Sequence, residues 1–352
     1  VAGALFRTEG GVAMQIIQNR RTFLAGLTAA AGAELLKVRP SSAAAEPAPE
    51  TTSVRLPRWI GGAYCWAGLY TAGELLRAEG FTDVQYVQGD PNVDQSVWIA
   101  RGETDFSLNY AAVHVASIDA GVPIKVLGGL HSGCLELIAN DSVHSIKDLR
   151  GKRVGVFDLE TAGYVLVALM ARYVGLDPVK DIEWVIVPND ETMANSFVEG
   201  KFDAFLGQPP VVQGLRPRKI GHTILNSTID PPWSQHFCCM ISATEDYVNK
   251  HPVATKRVLR AIFKSADLCA SDPELVARQL VDRAFVPSYE IALQTLNDIR
   301  YDRWHDYDAE ASLLFYALRM QETGMIKSSP REIIANGTDW RFLNELRREL
   351  KS

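Results

Sequence analysis

Between Ser145 and Gly175 the chain reads SIKDLRGKRVGVFDLETAGYVLVALMARYVG, an order that leaves few folds open. Ser145 is an N-cap type of residue and Gly151 a stop, so SIKDLRG is expected to be a short helix. After Lys152-Arg153, Val154 to Phe157 is a short apolar strand, and Asp158 to Gly163 is a loop of acidic and small residues. Tyr164 to Val174 is apolar around most of its circumference, which predicts a largely buried helix ended by Gly175. A strand, a loop and a helix N-terminus in that order open an α/β unit. Loop amides and the helix dipole would face whatever sits at the strand's carboxyl end.

The preceding chain repeats this alternation. Strands are expected at Val54–Ile60, Val84–Gln88, Asp105–Asn109 and Ile124–Gly128. Helices are expected at Leu69–Ala78, Val93–Arg101 and Val113–Ala120, closed by Gly80, Gly102 and Gly121. Short connections between strands and helices predict a largely parallel sheet with both faces covered. The unit also recurs: ARGETDFSLN at 100–109 is matched by VEGKFDAFLG at 198–207. In both, a helix stops at glycine (Gly102, Gly200), an aspartate follows three residues on (Asp105, Asp203), and an apolar strand comes next. The physical reading is two lobes of like construction, for which 352 residues suffice. Five segments with spacing near 3.6 follow: 252–269, 273–283, 289–299, 309–322 and 340–350. They are expected to pack on the first lobe.

SIKDLRGKRVGV, the helix after it, and GLDPVKDIEWVIV together resemble the second-lobe opening of periplasmic solute-binding proteins of ABC importers. The nearest group is the nitrate/sulfonate/taurine and thiamine-pyrimidine class, and the resemblance covers roughly Val54 to Leu268. It implies an α/β, two-lobed type II periplasmic binding protein fold with a two-segment hinge. Lobe 1 would comprise 54–137 and 238–352, and lobe 2 would comprise 138–237. It further implies that CLELIAN (134–140) and FCCMISA (237–243) run side by side as the hinge. Cys134 would then lie near Cys238 or Cys239.

Residues 1–45 read as a twin-arginine signal peptide: Arg20-Arg21 before Phe23-Leu24, a mildly apolar Ala25–Ala33, and Ala43-Ala44-Ala45 for cleavage. Residues 1–13 look like an upstream extension or an early start, with Met14 a candidate start, and 46–53 is a Pro/Ala/Thr linker. The expectation is a periplasmic monomer, neither lipid-anchored nor inserted in a membrane. Its partners would be a small-molecule ligand and an ABC permease. A net charge of −6 gives no reason to expect nucleic acid. The basic runs Arg216-Pro217-Arg218-Lys219 and Arg347-Arg348 read as solvated faces or a permease contact. The five cysteines, Cys65, Cys134, Cys238, Cys239 and Cys269, are odd in number and fit no zinc spacing. No metal and no cofactor are expected, and small buried side chains are the plain reading of the hinge cysteines.

In an open α/β lobe the ligand lies beyond the carboxyl ends of the strands. Five loops meet that condition, and they offer Gly62, Tyr64, Trp66, Asn109, Tyr110, His131, Ser132, Glu160, Thr161, Gly163 and Gln208, with Trp233 within reach. None of the five loops holds Arg or Lys, so a strongly anionic ligand would lack its usual guanidinium fork. Aromatic walls with amides and hydroxyls suit a small, flat organic molecule: a sulfonate, an aromatic carboxylate or a pyrimidine. Each of these aromatics could equally serve the core. No Ser/His/Asp elbow, P-loop or HExxH occurs. Cys65 has no neighbouring cation in sequence to lower its pKa, so no catalytic residue is expected. The alternative is an enzyme on the same fold, similar to a desulfinase or to the thiamine-pyrimidine synthase.

Overall fold

The computed structural model describes residues 46–59, 63–90, 93–159, 161–187 and 190–350. The expected signal peptide lies outside them. Every element below belongs to the compact unit Ala48–Ser352. In chain order come β1 (Ser53–Arg58), a 3-10 turn (Tyr64–Trp66), α1 (Ala67–Tyr70), α2 (Gly73–Ala78), β2 (Asp83–Gln88), α3 (Gln95–Ala100), β3 (Phe106–Tyr110), α4 (Ala111–Asp119) and β4 (Ile124–His131). A second set follows: β5 (Glu136–Ala139), β6 (Lys152–Val156), α5 (Ala162–Tyr173), β7 (Ile182–Ile186), α6 (Asp190–Val198), β8 (Ala204–Gly207), α7 (Val211–Leu215) and β9 (His222–Asn226). The chain then returns through β10 (Cys239–Thr244) to α8 (Glu245–Lys250), α9 (Pro252–Ser271), α10 (Pro273–Asp282), α11 (Tyr289–Asp298), α12 (Ala309–Glu322), α13 (Pro330–Gly337) and α14 (Arg341–Leu350).

The strands form two halves of the same plan. In the second half one sheet runs β7-β6-β8-β5-β9. In the first, β1 pairs with β2, and β10 lies between β3 and β4. The Asp105 amide donates to the Arg55 carbonyl at 2.9 Å, which brings β3 beside β1. Both halves thus place the second strand, the first, the third, one returning strand and the last in the same order.

The duplication extends to single bonds. In the first half the Arg55 amide donates to Asp105 Oδ2 (2.7 Å), and its guanidinium donates to Asp105 Oδ1 (2.6 Å) and the Gly102 carbonyl (2.6 Å). In the second, Arg153 makes the same three bonds to Asp203 Oδ2 (2.9 Å), Asp203 Oδ1 (3.1 Å) and the Gly200 carbonyl (3.0 Å). The Gly-x-x-Asp signal therefore marks a clamp holding the third strand on the first.

Partial burial would raise the Asp203 pKa. The Arg153 amide and guanidinium and the Asn140 side chain outweigh that and hold the carboxyl below its usual range. Because the folded pKa is depressed, this stabilisation is present above the unfolded value of about 4 and is lost as pH falls through the folded one. Asp203→Asn should cost about 1 kcal/mol at pH 7, a value kept small by solvent screening. Urea denaturation should show that difference shrinking towards zero in acid. A cost independent of pH would show that charge plays no part in the clamp.

Three expectations are corrected. First, the sheets are mixed: β1–β2, β6–β7 and β6–β8 are parallel, whereas β5 and β10 run antiparallel to both their neighbours. Second, β5 and β10 do not pair with each other but lie in different sheets, so the two connecting segments run side by side only over the crossings that precede these strands. The chain crosses between sheets just before each strand, over residues 132–135 and 227–238. The crossings are tied by Ser227, whose amide and hydroxyl both donate to the Leu135 carbonyl at 2.9 Å. Third, 46–53 is not all linker: the Glu50 carboxylate accepts the amides of Val253 and Ala254 at the start of α9.

Local details follow the side chains. The segment expected to be one helix at 69–78 is broken into α1 and α2 at Thr71-Ala72, where the Thr71 hydroxyl meets Ser265 Oγ at 2.7 Å. SIKDLRG forms only a 3-10 turn, Ile146–Leu149. Ser145 Oγ donates to Asp148 Oδ2 at 3.0 Å and caps no backbone amide. Residues 166–171 of α5 are buried, as its apolar circumference predicts. The C-terminal helices pack on the first half: Phe263 of α9 stacks on Trp304 (4.4 Å between centroids) and lies against Gly128 of β4. α13 had a readable signal that the spacing argument passed over. Ser329 and Glu332 form a capping box with Pro330 at the first helical position.

The basic runs are not simply solvated. Arg216 pairs with Glu136 and, at 2.6 Å, with Asp298. Arg347 donates to the Trp304 carbonyl at 2.9 and 2.6 Å.

Candidate functional site

The carboxyl ends of β1, β3, β6 and β8 and the two crossings supply the candidate loops. Among the described residues there, the Tyr110 hydroxyl donates to Gln208 Oε1 and so joins the two halves. These residues stand 98 positions apart, the same interval that relates Arg55 to Arg153 and Asp105 to Asp203. Equivalent loops of the two halves therefore meet face to face. Asn109 supports this contact: its Nδ2 donates to Asp94 Oδ1 (2.8 Å), and its Oδ1 accepts the Tyr110 amide (2.8 Å). Burial pushes the Tyr110 hydroxyl pKa well up, so it is a neutral donor at neutral pH.

The other predicted residues are placed differently. Tyr64 (2% exposed) and Trp66 (6%) are core residues of a 3-10 turn, with Trp66 tilted against Tyr70 at 5.8 Å. Thr161 precedes α5, but its hydroxyl donates back to the Asp158 carbonyl (2.7 Å), so it does not cap the amides of the first turn. Gly163 lies in that turn. Trp233 is buried between Tyr173 at the far end of α5 and Phe315 of α12, centroids 6.0 and 5.4 Å away. That site is remote from the N-terminus of α5. Glu136, which could have met a cationic ligand, is occupied by Arg216 and by the Thr223 hydroxyl at 2.7 Å. Gly62 and Glu160 lie outside the described residues.

His131 and Ser132 are buried where β4 leaves its sheet, and the Ser132 hydroxyl has no hydrogen-bond partner among the described residues. Around His131 the fold assembles what spacing did not reveal. Cys65 from the 3-10 turn, Cys134 from the first crossing and Cys239 from the start of β10 offer sulfurs that, with a ring nitrogen of His131, all lie within 4.8 Å of one another. Cys238 adjoins them, its sulfur 3.1 Å from that of Cys134. The expected proximity of Cys134 to the vicinal cysteines is thus observed.

Burial by itself would lower the His131 pKa. The sulfurs of Cys239 and Cys65 outweigh it, and the imidazole is pushed up to about 10. It is a cation only while a thiolate faces it. Burial, with Cys238 and Cys239 beside it, drives the Cys134 thiol well up. A buried thiol–imidazole group of this kind can hold a proton between sulfur and nitrogen, or bind a soft cation. Cys134 also has φ = +116°, a conformation rare for a residue with a side chain. Such outliers persist where the surroundings fix them.

Comparison with known proteins agrees with this architecture. Over 201 residues the chain is 25% identical to the 4-amino-5-hydroxymethyl-2-methylpyrimidine phosphate synthase of Uromyces fabae, spanning 52% of this chain and only 56% of that protein. Among solved structures, the periplasmic nitrate-binding protein NrtA from Synechocystis PCC 6803 is similar with a TM-score of 0.71. It is 16% identical, over 87% of this chain and 90% of that one. The periplasmic aliphatic sulphonate binding protein SsuA from Escherichia coli is similar with a TM-score of 0.64, at 16% identity over 82% and 94%. The fold is that of the periplasmic binding proteins. Residues 65–275, more than half of the chain, match the family model described as NMT1/THI5 like, and the chain belongs to the NMT1/THI5-like family.

Proposed function

We propose that this protein is the solute-binding component of an ABC importer, working in the periplasm as a monomer. It would take a small organic molecule between two lobes and present the closed form to a permease. The lobes are best drawn with 53–131 and 239–350 in one and 136–226 in the other. The observation that carries the reading is the Tyr110–Gln208 bond, which joins equivalent loops of two like halves. A ligand that contacts both loops binds the closed state better than the open one, and differential affinity is all that such a protein needs. Support also comes from the likeness to nitrate- and sulphonate-binding folds. Among the described residues no helix is long and apolar enough to cross a membrane.

The ligand chemistry follows from the loops. Tyr110, Asn109 and Gln208 supply hydroxyl and amide groups, and the first turn of α5 supplies amides that favour one negative group. A sulfonate, an aromatic carboxylate or a pyrimidine fits that set. A thermal-shift screen of these classes, with nitrate, tests the reading. A true ligand at 100-fold its dissociation constant should add about 2.7 kcal/mol of stability. Tyr110→Phe should weaken it by about 1 kcal/mol. Silence across the whole panel would count against the proposal.

A second reading, catalysis on the same fold, draws on the relative named as a pyrimidine phosphate synthase and on the thiol–imidazole group. Cys65 and His131 are both covered, and turnover of a panel compound by purified protein is what would favour it.

A further inference from the structure

We infer that Cys65, His131, Cys134 and Cys239 form a closed tetrahedral site for a thiolate-binding d10 cation, zinc(II) or copper(I). Three observations carry this. The four donor atoms lie within 4.8 Å of one another. Tetrahedral bonds of about 2.3 Å to sulfur place neighbouring sulfurs about 3.8 Å apart, so small side-chain rotations complete the shell. All four residues are more than nine-tenths buried, which leaves no face open to substrate.

The histidine is already set as a ligand. Its Nδ1 lies 3.2 Å from the Gly133 carbonyl, while Nε2 is buried with no hydrogen-bond partner among the described residues. With Nδ1–H donating to that carbonyl, Nε2 presents its lone pair. This is the outer-shell arrangement that fixes the tautomer of a metal-bound imidazole.

The donor set selects the ion. Three sulfurs and one nitrogen suit zinc or copper(I), and they exclude the oxygen-seeking magnesium and calcium. On binding, the three thiols release three protons to solvent and the imidazole stays neutral, giving a complex of one zinc(II), three thiolates and one histidine. The donors come from the 3-10 turn, the end of β4, the first crossing and the start of β10. A bound ion would therefore pin both crossings to the first half of the molecule.

The test uses the full chain, purified under reductant, stripped with chelator and titrated with zinc(II). Copper(I) is titrated separately against a colorimetric chelator. One equivalent of one ion should be retained, and the preferred ion tells the two apart. Cobalt(II) in the zinc position should show a thiolate charge-transfer band and tetrahedral d–d bands. Cys65→Ser and Cys239→Ser should each lose affinity by more than the roughly 10–100-fold that an outer-shell change costs. Cys238→Ser and Cys269→Ser should keep the full equivalent.

Failure of both ions to reach one equivalent would overturn the inference. So would equal retention by Cys239→Ser, or a Cys134–Cys238 disulfide found by thiol counting in the native protein. If a serine variant does not fold, the cobalt spectrum of the unaltered chain still decides. The readouts involve no solute, so they stand or fall apart from the import reading.

Discussion

Trp66→Ala should lower stability by about 3–5 kcal/mol in chemical denaturation without ligand, the usual cost of emptying a large aromatic site in a core. By position in the chain Trp66 belongs to a strand-end loop and to a ligand wall. In the fold it is 6% exposed, with Tyr70 at 5.8 Å and the buried Tyr64 and Cys65 on the same turn. Its truncation would also loosen the turn that carries Cys65. A variant that keeps its midpoint but loses ligand affinity would return Trp66 to the wall and contradict the core assignment.

Gly133→Ala should be nearly as damaging, for a different reason. Gly133 has φ = +80°, and a Cβ there would lie 2.1 Å from Thr228 Oγ1 and 3.0 Å from Thr228 Cα. The left-handed conformation costs a side-chain-bearing residue about 1–2 kcal/mol, and overpacking adds about 1–3 kcal/mol. Gly151→Ala is the control: its φ is +71°, but nothing lies within 4 Å of the added carbon. It should show the conformational cost alone. Equal melting temperatures for the two variants would mean that the crossings can separate at Gly133 without penalty. Because Thr228 and Gly133 lie on opposite crossings, the same comparison measures how tightly the connection between the halves is packed.

The repeat was legible because it is local. A helix stop, an aspartate three residues on and an apolar strand are set by neighbours in sequence, and Gly102/Asp105 and Gly200/Asp203 fulfil it twice. The arginines that complete each clamp were not legible, because Arg55 and Arg153 lie 50 residues before their aspartates. The C-terminal helices at 252–271, 273–282, 289–298, 309–322 and 341–350 were legible within about two residues, since each buries one stripe at its own period. Strand direction was not. Nothing in the composition of β5 and β10 marks their direction, and only the long-range pairing of β5 with β8 and of β10 with β3 reverses them.

The site divides in the same way. Sequence by itself determined which loops could meet, because strand ends and helix starts follow from periodicity and stop residues. It also brought Tyr110 and Gln208 onto equivalent loops of two like units. Tertiary structure alone decided which of those side chains are buried in a core. Tyr64, Trp66 and Trp233 carry no mark distinguishing a wall from packing, since burying apolar area stabilises either place alike. The cysteine–histidine group is the extreme case. Its four donors stand at positions 65, 131, 134 and 239; only His131 and Cys134 are near in sequence, and the others join them only where two crossings and a turn converge.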